Sequence, residues 1–169
     1  MSRSKKPIFV IQQHDATKLH YDFRLEIDGK LKSWSVPKGP STDPLEKRLA
    51  VESKDHEMSY ADFEGEIEEG YGAGTVLLWD TGTFKNLKDE DLTESYKNGQ
   101  IEFWLEGKKL KGGYVLVKMK GKKFKGKKDH WLLIKMKDDE ADARRNPVST
   151  ETESVKSGKT LKELEKGKE

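Results

Sequence analysis

Two histidines, an aspartate and an arginine form a pattern in this sequence that could carry chemistry. His14 is followed after five residues by His20, and Asp22 and Arg24 come next at every second position. Two imidazoles and a carboxylate suit a cation such as manganese or zinc. The forked donors of a guanidinium match two oxygens of a phosphate. The pattern therefore predicts a phosphate site that contains a metal ion.

One strand would position three of these side chains. Apolar and polar residues alternate strictly over residues 20–28, and the apolar positions are Tyr21, Phe23, Leu25 and Ile27. This period of two predicts a strand whose apolar face lies in a core. His20, Asp22 and Arg24 would then form a row on the other face, spaced about 6.6 Å apart. The alternative is that these side chains are solvated residues on an exposed sheet face. The combination of His14, His20, Asp22 and Arg24 on one predicted face disfavours this alternative.

The rest of the chain predicts an all-β domain with one short helix. Further strands are expected at 8–12, 31–36, 48–53, 63–67, 75–79, 100–105, 114–120 and 131–136. Turns are expected at Asp28-Gly29, 70–74, 80–82 and 112–113, and the helix at 89–98. Many short strands at this spacing indicate an antiparallel sandwich or barrel. We expect this domain to cover residues 1–143 and to be followed by a charged, flexible tail at 144–169.

A region around His56 and a lysine-rich segment are further candidates for a functional site. His56 lies in a polar stretch without apolar periodicity, which leaves a surface role and a site role equally open. Ten lysines lie between residues 108 and 128, and they include a predicted hairpin tip. The members of that tip are Lys122, Lys123, Lys125, Lys127 and Lys128. Such a run can attract a nucleic acid, or it can simply be a solvated loop.

Composition limits the class of protein. Charged residues make up 38% of the chain and apolar residues 33%, and there is no cysteine. Disulfides and thiolate metal sites are therefore excluded. No apolar stretch approaches the length of a membrane span, and no apolar segment follows the charged N-terminus. We therefore expect a cytoplasmic protein without membrane contact.

Several segments strongly resemble one family, the 3′-phosphoesterase domain of bacterial DNA ligase D and its stand-alone archaeal relatives. The resemblance begins with QHDATKLHYDFRLEIDG at 13–29 and LKSWSVPKGPS at 31–41. It continues at 48–52, 55–67, 71–76 and 131–135. It implies a compact antiparallel β-barrel with an active site in a surface groove. The sequence departs from the family in its short segment before the first strand and at Thr17-Lys18, where members usually have two arginines.

The resemblance also implies an activity and its residues. It implies a manganese-dependent enzyme, for which zinc or cobalt are other candidate metals. This enzyme removes a 3′-terminal ribonucleoside and then the remaining 3′-phosphate from DNA primer-template ends in end-joining repair. His14, His20 and Asp22 match metal ligands, and Arg24, His56 and Tyr60 match residues that hold the scissile phosphate. Arg48 matches a further basic residue of the active site, and Gln12 matches a supporting residue.

The implied partners are DNA and the components of an end-joining system, namely a DNA ligase, a polymerase and Ku, and the implied state is a monomer. Two other functions remain open. One is a non-catalytic nucleic-acid-binding barrel that uses lysines and aromatic residues, which would not need a His-His-Asp cluster. The other is a metal-dependent ribonuclease that cuts internally.

Overall fold

Nine antiparallel strands form the protein in the computed structural model, which describes residues 6–67, 73–119 and 129–166. Neighbouring strands pair in the order β1-β2-β3-β4-β9-β8-β7-β6-β5, and β1 also pairs with β6. This last pairing closes an antiparallel barrel of eight strands, with β5 added at the edge of β6. The predicted barrel is thereby confirmed. The strands are β1 (Ile8–Asp15), β2 (Leu19–Ile27), β3 (Lys30–Val36), β4 (Lys47–His56), β5 (Gly65–Ile67), β6 (Gly74–Asn86), β7 (Gln100–Gly107), β8 (Lys111–Lys118) and β9 (His130–Lys135).

The alternation along β2 places its apolar residues inside the barrel, as the sequence predicts. Phe23 contacts Phe103 from the opposite side, with ring centroids 5.8 Å apart. The turn from β2 to β3 has positive φ at both Asp28 (55°) and Gly29 (80°). Such a two-residue turn matches the twist of the strands that it joins. The turn and the alternation together fix which side chains of β2 face outward.

The turn predicted at 80–82 is wrong, because β6 continues through these residues and is 13 residues long. The register between β6 and β1 shifts once, which is the mark of a β-bulge. Trp79, the extra residue at the shift, and Phe84 further along β6 can therefore both reach the core. Gly82 permits a close strand approach, since a Cβ there would lie 2.1 Å from the carbonyl oxygen of Glu106.

Four short helical elements accompany the barrel in the part of the chain that the structure describes. They are a 3-10 helix at Met58–Tyr60 and the helices α1 (Leu92–Asn98), α2 (Pro147–Thr150) and α3 (Leu161–Lys166). Helix α1 is the one that the sequence predicts, and it ends at Gly99 with a φ of 83°. Its Tyr96 ring stacks on the core residue Trp131 at 5.9 Å. No helix in the described ranges is long and apolar enough to cross a membrane.

Residues 57–67 form a segment, here called the covering segment, that lies over the outer face of β1 and β2. Carbonyl groups of this segment accept hydrogen bonds from the Gln12 amide, and its Glu64 side chain accepts one from the backbone N–H of Leu78. Val10 is an outward position of β1 between the core residues Phe9 and Ile11, yet it is fully buried. Through its contacts with Gln12 and Leu78, the covering segment gives the barrel a second, outer layer.

The C-terminal segment, for which the sequence predicts flexibility, follows a defined path in the structure as far as residue 166. Val148, Leu161 and Leu164 pack against the core. The Trp79 indole donates to the Glu151 carbonyl oxygen at 2.7 Å. Lys156 donates to a carbonyl oxygen of the covering segment at 2.9 Å. The flexibility of this segment in solution stays a prediction.

The carboxylate of Asp80 is fully buried and organises the turn between β7 and β8. It accepts hydrogen bonds from four backbone N–H groups, those of Thr81, Lys108, Lys109 and Leu110. We predict that Asp80→Ala lowers the free energy of unfolding by about 2–4 kcal/mol, because buried donors lose their acceptor. Urea unfolding measures this. Asp80→Asn keeps one carbonyl acceptor and should lose less, so equal stability of all three proteins would contradict the prediction.

Candidate active site

His14, His20 and Asp22 meet on the outer face of the barrel where β1 pairs with β2. His14 lies opposite His20 in the strand register, and Asp22 is two residues further along β2. One carboxylate oxygen of Asp22 lies 3.4 Å from His14 Nδ1 and the other lies 3.3 Å from His20 Nε2. Among the described residues, this is the group of three whose donor atoms could hold a metal ion.

The geometry of this cluster fits a divalent cation. One donor atom from each residue lies within 4.8 Å of the others, and ligands about 2.1 Å from a shared ion need only a small inward shift. His20 Nδ1 lies 2.9 Å from the Lys18 carbonyl oxygen, which can only accept a hydrogen bond. The proton of neutral His20 is therefore held on Nδ1, which leaves the Nε2 lone pair for a metal ion.

The charge state of Asp22 also suits a metal ligand. Burial alone would raise the pKa of Asp22, but hydrogen bonds with His14 and His20 and the charge of Arg24 hold that pKa well below its usual value. Burial lowers the pKa of His20, but the contacts with Asp22 and the Lys18 carbonyl oxygen outweigh it and raise that pKa. Asp22 is thus a carboxylate throughout the physiological pH range.

Arg24 is buried beside the cluster, with its side chain only 3% exposed. Its Nε donates to Gln12 Oε1 at 2.7 Å and its Nη1 donates to Ser33 Oγ at 2.8 Å. Its Nη2 lies 3.5 Å from the Asp22 carboxylate, and its guanidinium carbon lies 5.2 Å from the centre of the Tyr60 ring. These contacts hold the guanidinium in one orientation next to the proposed metal ligands.

Gln12 connects Arg24 to the covering segment. Its amide nitrogen donates to the Phe63 carbonyl oxygen at 3.0 Å, so its amide oxygen must be the atom that faces Arg24. Gln12 is itself fully buried. In the structure, Gln12 helps to orient the guanidinium of Arg24. The supporting role that the resemblance implies for Gln12 stays a prediction.

His56 and Tyr60 reach the same place from β4 and the 3-10 helix. Their rings lie 4.8 Å apart, and His56 Nδ1 lies 3.1 Å from Arg24 Nη1 and 3.0 Å from the Lys54 carbonyl oxygen. Burial and the charge of Arg24 lower the pKa of His56, so this imidazole is neutral near pH 7. Burial raises the pKa of the Tyr60 hydroxyl. Tyr60 is therefore a neutral hydrogen-bonding group.

These residues line one open groove with a volume of about 720 Å³. The structure brings six of the predicted residues to it: His14, His20, Asp22, Arg24, His56 and Tyr60. Thr17 and Lys18, the pair that departs from the family pattern, also line the groove. The groove further contains residues that the sequence did not identify, which are Ala16, Ser35, Val51, Glu52, Ser53, Lys54, Ile67 and Ala73. The alternation of Ser33 and Ser35 with Trp34 is a signal that could have identified the groove-facing side of β3.

Arg48 lies apart from this group. It is two residues before the core residue Ala50 on β4, which places it on the inner side of the strand. Its guanidinium pairs with Glu46 at 3.3 Å, and it does not line the groove. Its role in the active site stays a prediction. The five lysines at 122–128 lie outside the described residues.

Residues 12–118 of the chain match the family described as the DNA Ligase D 3′-phosphoesterase domain. The chain is 47% identical over 156 residues to the multifunctional non-homologous end joining protein LigD of Pseudomonas aeruginosa, a match that covers 90% of this chain and 18% of that protein. It is 43% identical over 135 residues to LigD of Mycolicibacterium smegmatis, which covers 77% of this chain and 17% of that protein.

The multifunctional non-homologous end joining DNA repair protein LigD of Mycobacterium tuberculosis is 42% identical over 130 residues. This match covers 76% of the chain and 16% of that protein. The chain therefore spans less than a fifth of the length of these curated relatives. The likeness belongs to one part of multifunctional proteins, and that part contains the groove.

The cluster predicts a specific loss of metal binding. Asp22→Ala should abolish manganese binding in a calorimetric titration, because the remaining two imidazoles lack the carboxylate that lies between them. The fold should persist, since Asp22 faces away from the core. His130→Ala removes a histidine outside the cluster and is the matched control. Tight manganese binding by Asp22→Ala would show that the metal site lies elsewhere.

Proposed function

Because the chain belongs to the family of DNA ligase D 3′-phosphoesterase domains, we propose that it hydrolyses phosphate esters at the 3′ ends of DNA with the help of a divalent metal ion. Its two reactions would be the removal of a 3′-terminal ribonucleoside and the removal of the 3′-phosphate that remains. The product is a 3′-hydroxyl, the end that a polymerase or ligase needs.

One observation carries this proposal: a His-His-Asp cluster adjoins a buried arginine inside one groove. Asp22 contacts both histidines and Arg24, so the proposed metal ligands and the arginine lie next to each other in the groove. A phosphate placed there would be reached from one side by a metal ion and from another by donors of Arg24. A structural metal site would not need the arginine, and a simple anion site would not need the cluster.

We propose manganese as the metal, with zinc and cobalt as other candidates, held by His14, His20 and Asp22. When bound, a divalent ion supplies Lewis acidity toward a non-bridging phosphate oxygen. The donor set of two imidazoles and one carboxylate supports this choice, because it suits borderline cations.

The chain's own residues would stabilise the charge that spreads over the phosphate oxygens in the transition state. Arg24 is oriented before the substrate arrives, because Gln12 and Ser33 already fix two edges of its guanidinium. Preorganised donors of this kind avoid reorientation during the reaction and are a major source of rate enhancement. The Tyr60 hydroxyl is proposed as a further donor to the phosphate, since its pKa is raised and its proton is retained.

His56 is proposed either to protonate the leaving sugar oxygen or to bind the phosphate in its protonated form. Its lowered pKa keeps the free imidazole neutral, and an approaching phosphate anion would raise that pKa and favour protonation. The proton can therefore be taken up together with the substrate and held next to the leaving oxygen.

The chain has no cysteine nucleophile, so direct attack by water is the simpler proposed course.

The proposed setting is non-homologous end joining, as the names of the relatives indicate for those proteins. Its substrate would be a DNA primer-template with a 3′ ribonucleotide or a 3′-phosphate. A DNA ligase, a polymerase and Ku are proposed as functional partners, and the protein itself is proposed to act as a monomer.

The test is incubation with manganese and an end-labelled primer-template that carries one 3′ ribonucleotide. We expect shortening to a 3′-phosphate and then conversion to a 3′-hydroxyl, with both steps abolished by chelator. A barrel that only binds nucleic acid would leave the primer intact. An internally cutting ribonuclease would still act on a substrate whose 3′ end is blocked, and either result would overturn the proposal.

The lysine-rich segment is proposed to track the duplex backbone. The flanking strands β8 and β9 pair with each other, and β9 also pairs with β4, which borders the groove. Replacing Lys122, Lys125 and Lys127 with Gln should flatten the salt dependence of duplex binding by about 0.9 in log-log slope for each lost phosphate contact. Filter binding over a salt series measures this. We expect kcat to stay constant, because binding energy that is equal in the ground state and the transition state does not accelerate chemistry. An unchanged salt slope would instead indicate that these lysines do not contact the duplex.

A further inference from the structure

The groove changes in chemical character from one strand to the next. Asp22 on β2 lies opposite Ser35 on β3, which lies opposite Val51 on β4. These three residues form a row across the sheet, and all three line the groove. Neighbouring strands are about 4.8 Å apart, so Val51 lies about 10 Å from Asp22 along the sheet surface. Charged ligands are thus followed by a hydroxyl and then by an aliphatic side chain.

Val51 is the residue nearest the groove in an outward-facing apolar surface. Leu49, Val51 and Leu132 are here called the apolar shelf, and His130 on β9 lies opposite Val51. Leu49 lies opposite Leu132 in the register of β4 and β9 and is 40% exposed. The shelf residues alternate with core residues on both strands, so they face away from the barrel interior. Adjacent aliphatic side chains on the surface of a chain with 38% charged residues indicate a contact surface.

We propose that the apolar shelf binds the base of the nucleoside attached to the scissile phosphate, while Ser35 and Ser53 lie beside its sugar. The inference rests on the proposed function and adds the part of the substrate that the shelf would hold. The order along the groove, from charged to hydroxyl to aliphatic, is the order of phosphate, sugar and base in a nucleotide.

The part of this surface beside the groove fits a nucleobase. Outward aliphatic residues continue beyond the shelf, since Val117 lies opposite Leu132 and Val115 lies opposite Ile134, but Val51 is the one among them that lines the groove. The shelf is also continuous with the groove through Val51. The base is therefore held at a distance from the phosphate that one nucleotide can span.

A phosphodiester has two nucleosides, one that departs and one that is retained, and the test distinguishes them. Two primers carry a fluorescent purine analogue, one in the terminal nucleoside and the other in the nucleoside before it. Each is titrated with protein in chelator, so that no turnover occurs. We expect binding to change the emission of one primer, which identifies the nucleoside on the shelf, and we expect Val51→Ser to abolish that change.

Val115→Ser is the matched control. Val115 is also an outward valine of the barrel, opposite Ile134 on β9, but it does not line the groove. It should bind both primers like the parent protein. If Val51→Ser gives the same emission change as the parent and the control for both primers, the shelf does not bind a base and the proposal is overturned.

Kinetics with an abasic primer give a second readout. Removal of the base at the nucleoside identified by fluorescence should raise KM about tenfold for the parent and for Val115→Ser, with little change in kcat. It should raise KM much less for Val51→Ser, which has already lost the contact. An equal penalty in all three proteins would overturn the proposal. Failure of the parent to process the intact primer would instead overturn the proposed function, while the fluorescence would still report the base contact.

Discussion

A buried positive charge on the outside of the barrel determines much of this structure. Arg24 is 3% exposed, and burying an unpaired ion would destabilise a protein by several kcal/mol. The chain surrounds the guanidinium with an amide oxygen, a hydroxyl, an imidazole, a carboxylate and an aromatic ring. The covering segment supplies part of this environment, directly through Tyr60 and indirectly through Gln12. The same contacts that stabilise the charge also fix its orientation toward the groove.

The sequence predicts the parts of the site that depend on one strand. Strict alternation along β2 identifies both its core face and the row formed by His20, Asp22 and Arg24. The turn at Asp28-Gly29 follows from local backbone preferences and is confirmed. His14 could also be predicted, because a short loop brings it back beside His20. Local periodicity is sufficient wherever a face is defined by residues close in the chain.

Contacts between distant residues determine what the sequence does not predict. Asp80 and Gly82 are residue types that are typical of turns. In the structure, however, Asp80 binds backbone N–H groups of the loop after β7 and Gly82 allows the close approach of β7, and these partners are distant in the sequence. The burial of Arg24 depends on the covering segment, whose own short elements carry little periodicity. The path of the C-terminal segment depends on isolated apolar residues such as Leu161 and Leu164, which find partners only on the finished barrel.

The single-turnover rate of 3′-phosphate removal by Arg24→Lys tests most directly whether the fixed guanidinium serves phosphate chemistry. Lysine keeps the positive charge but loses the planar fork that Gln12 and Ser33 orient. We expect a rate at least about tenfold below that of the parent, which corresponds to about 1.4 kcal/mol of transition-state stabilisation. We expect the manganese affinity and the thermal unfolding midpoint of Arg24→Lys to match those of the parent, which would show that the variant is folded and binds the metal. A parental rate in such a variant would contradict the account and would assign the phosphate to other residues of the groove.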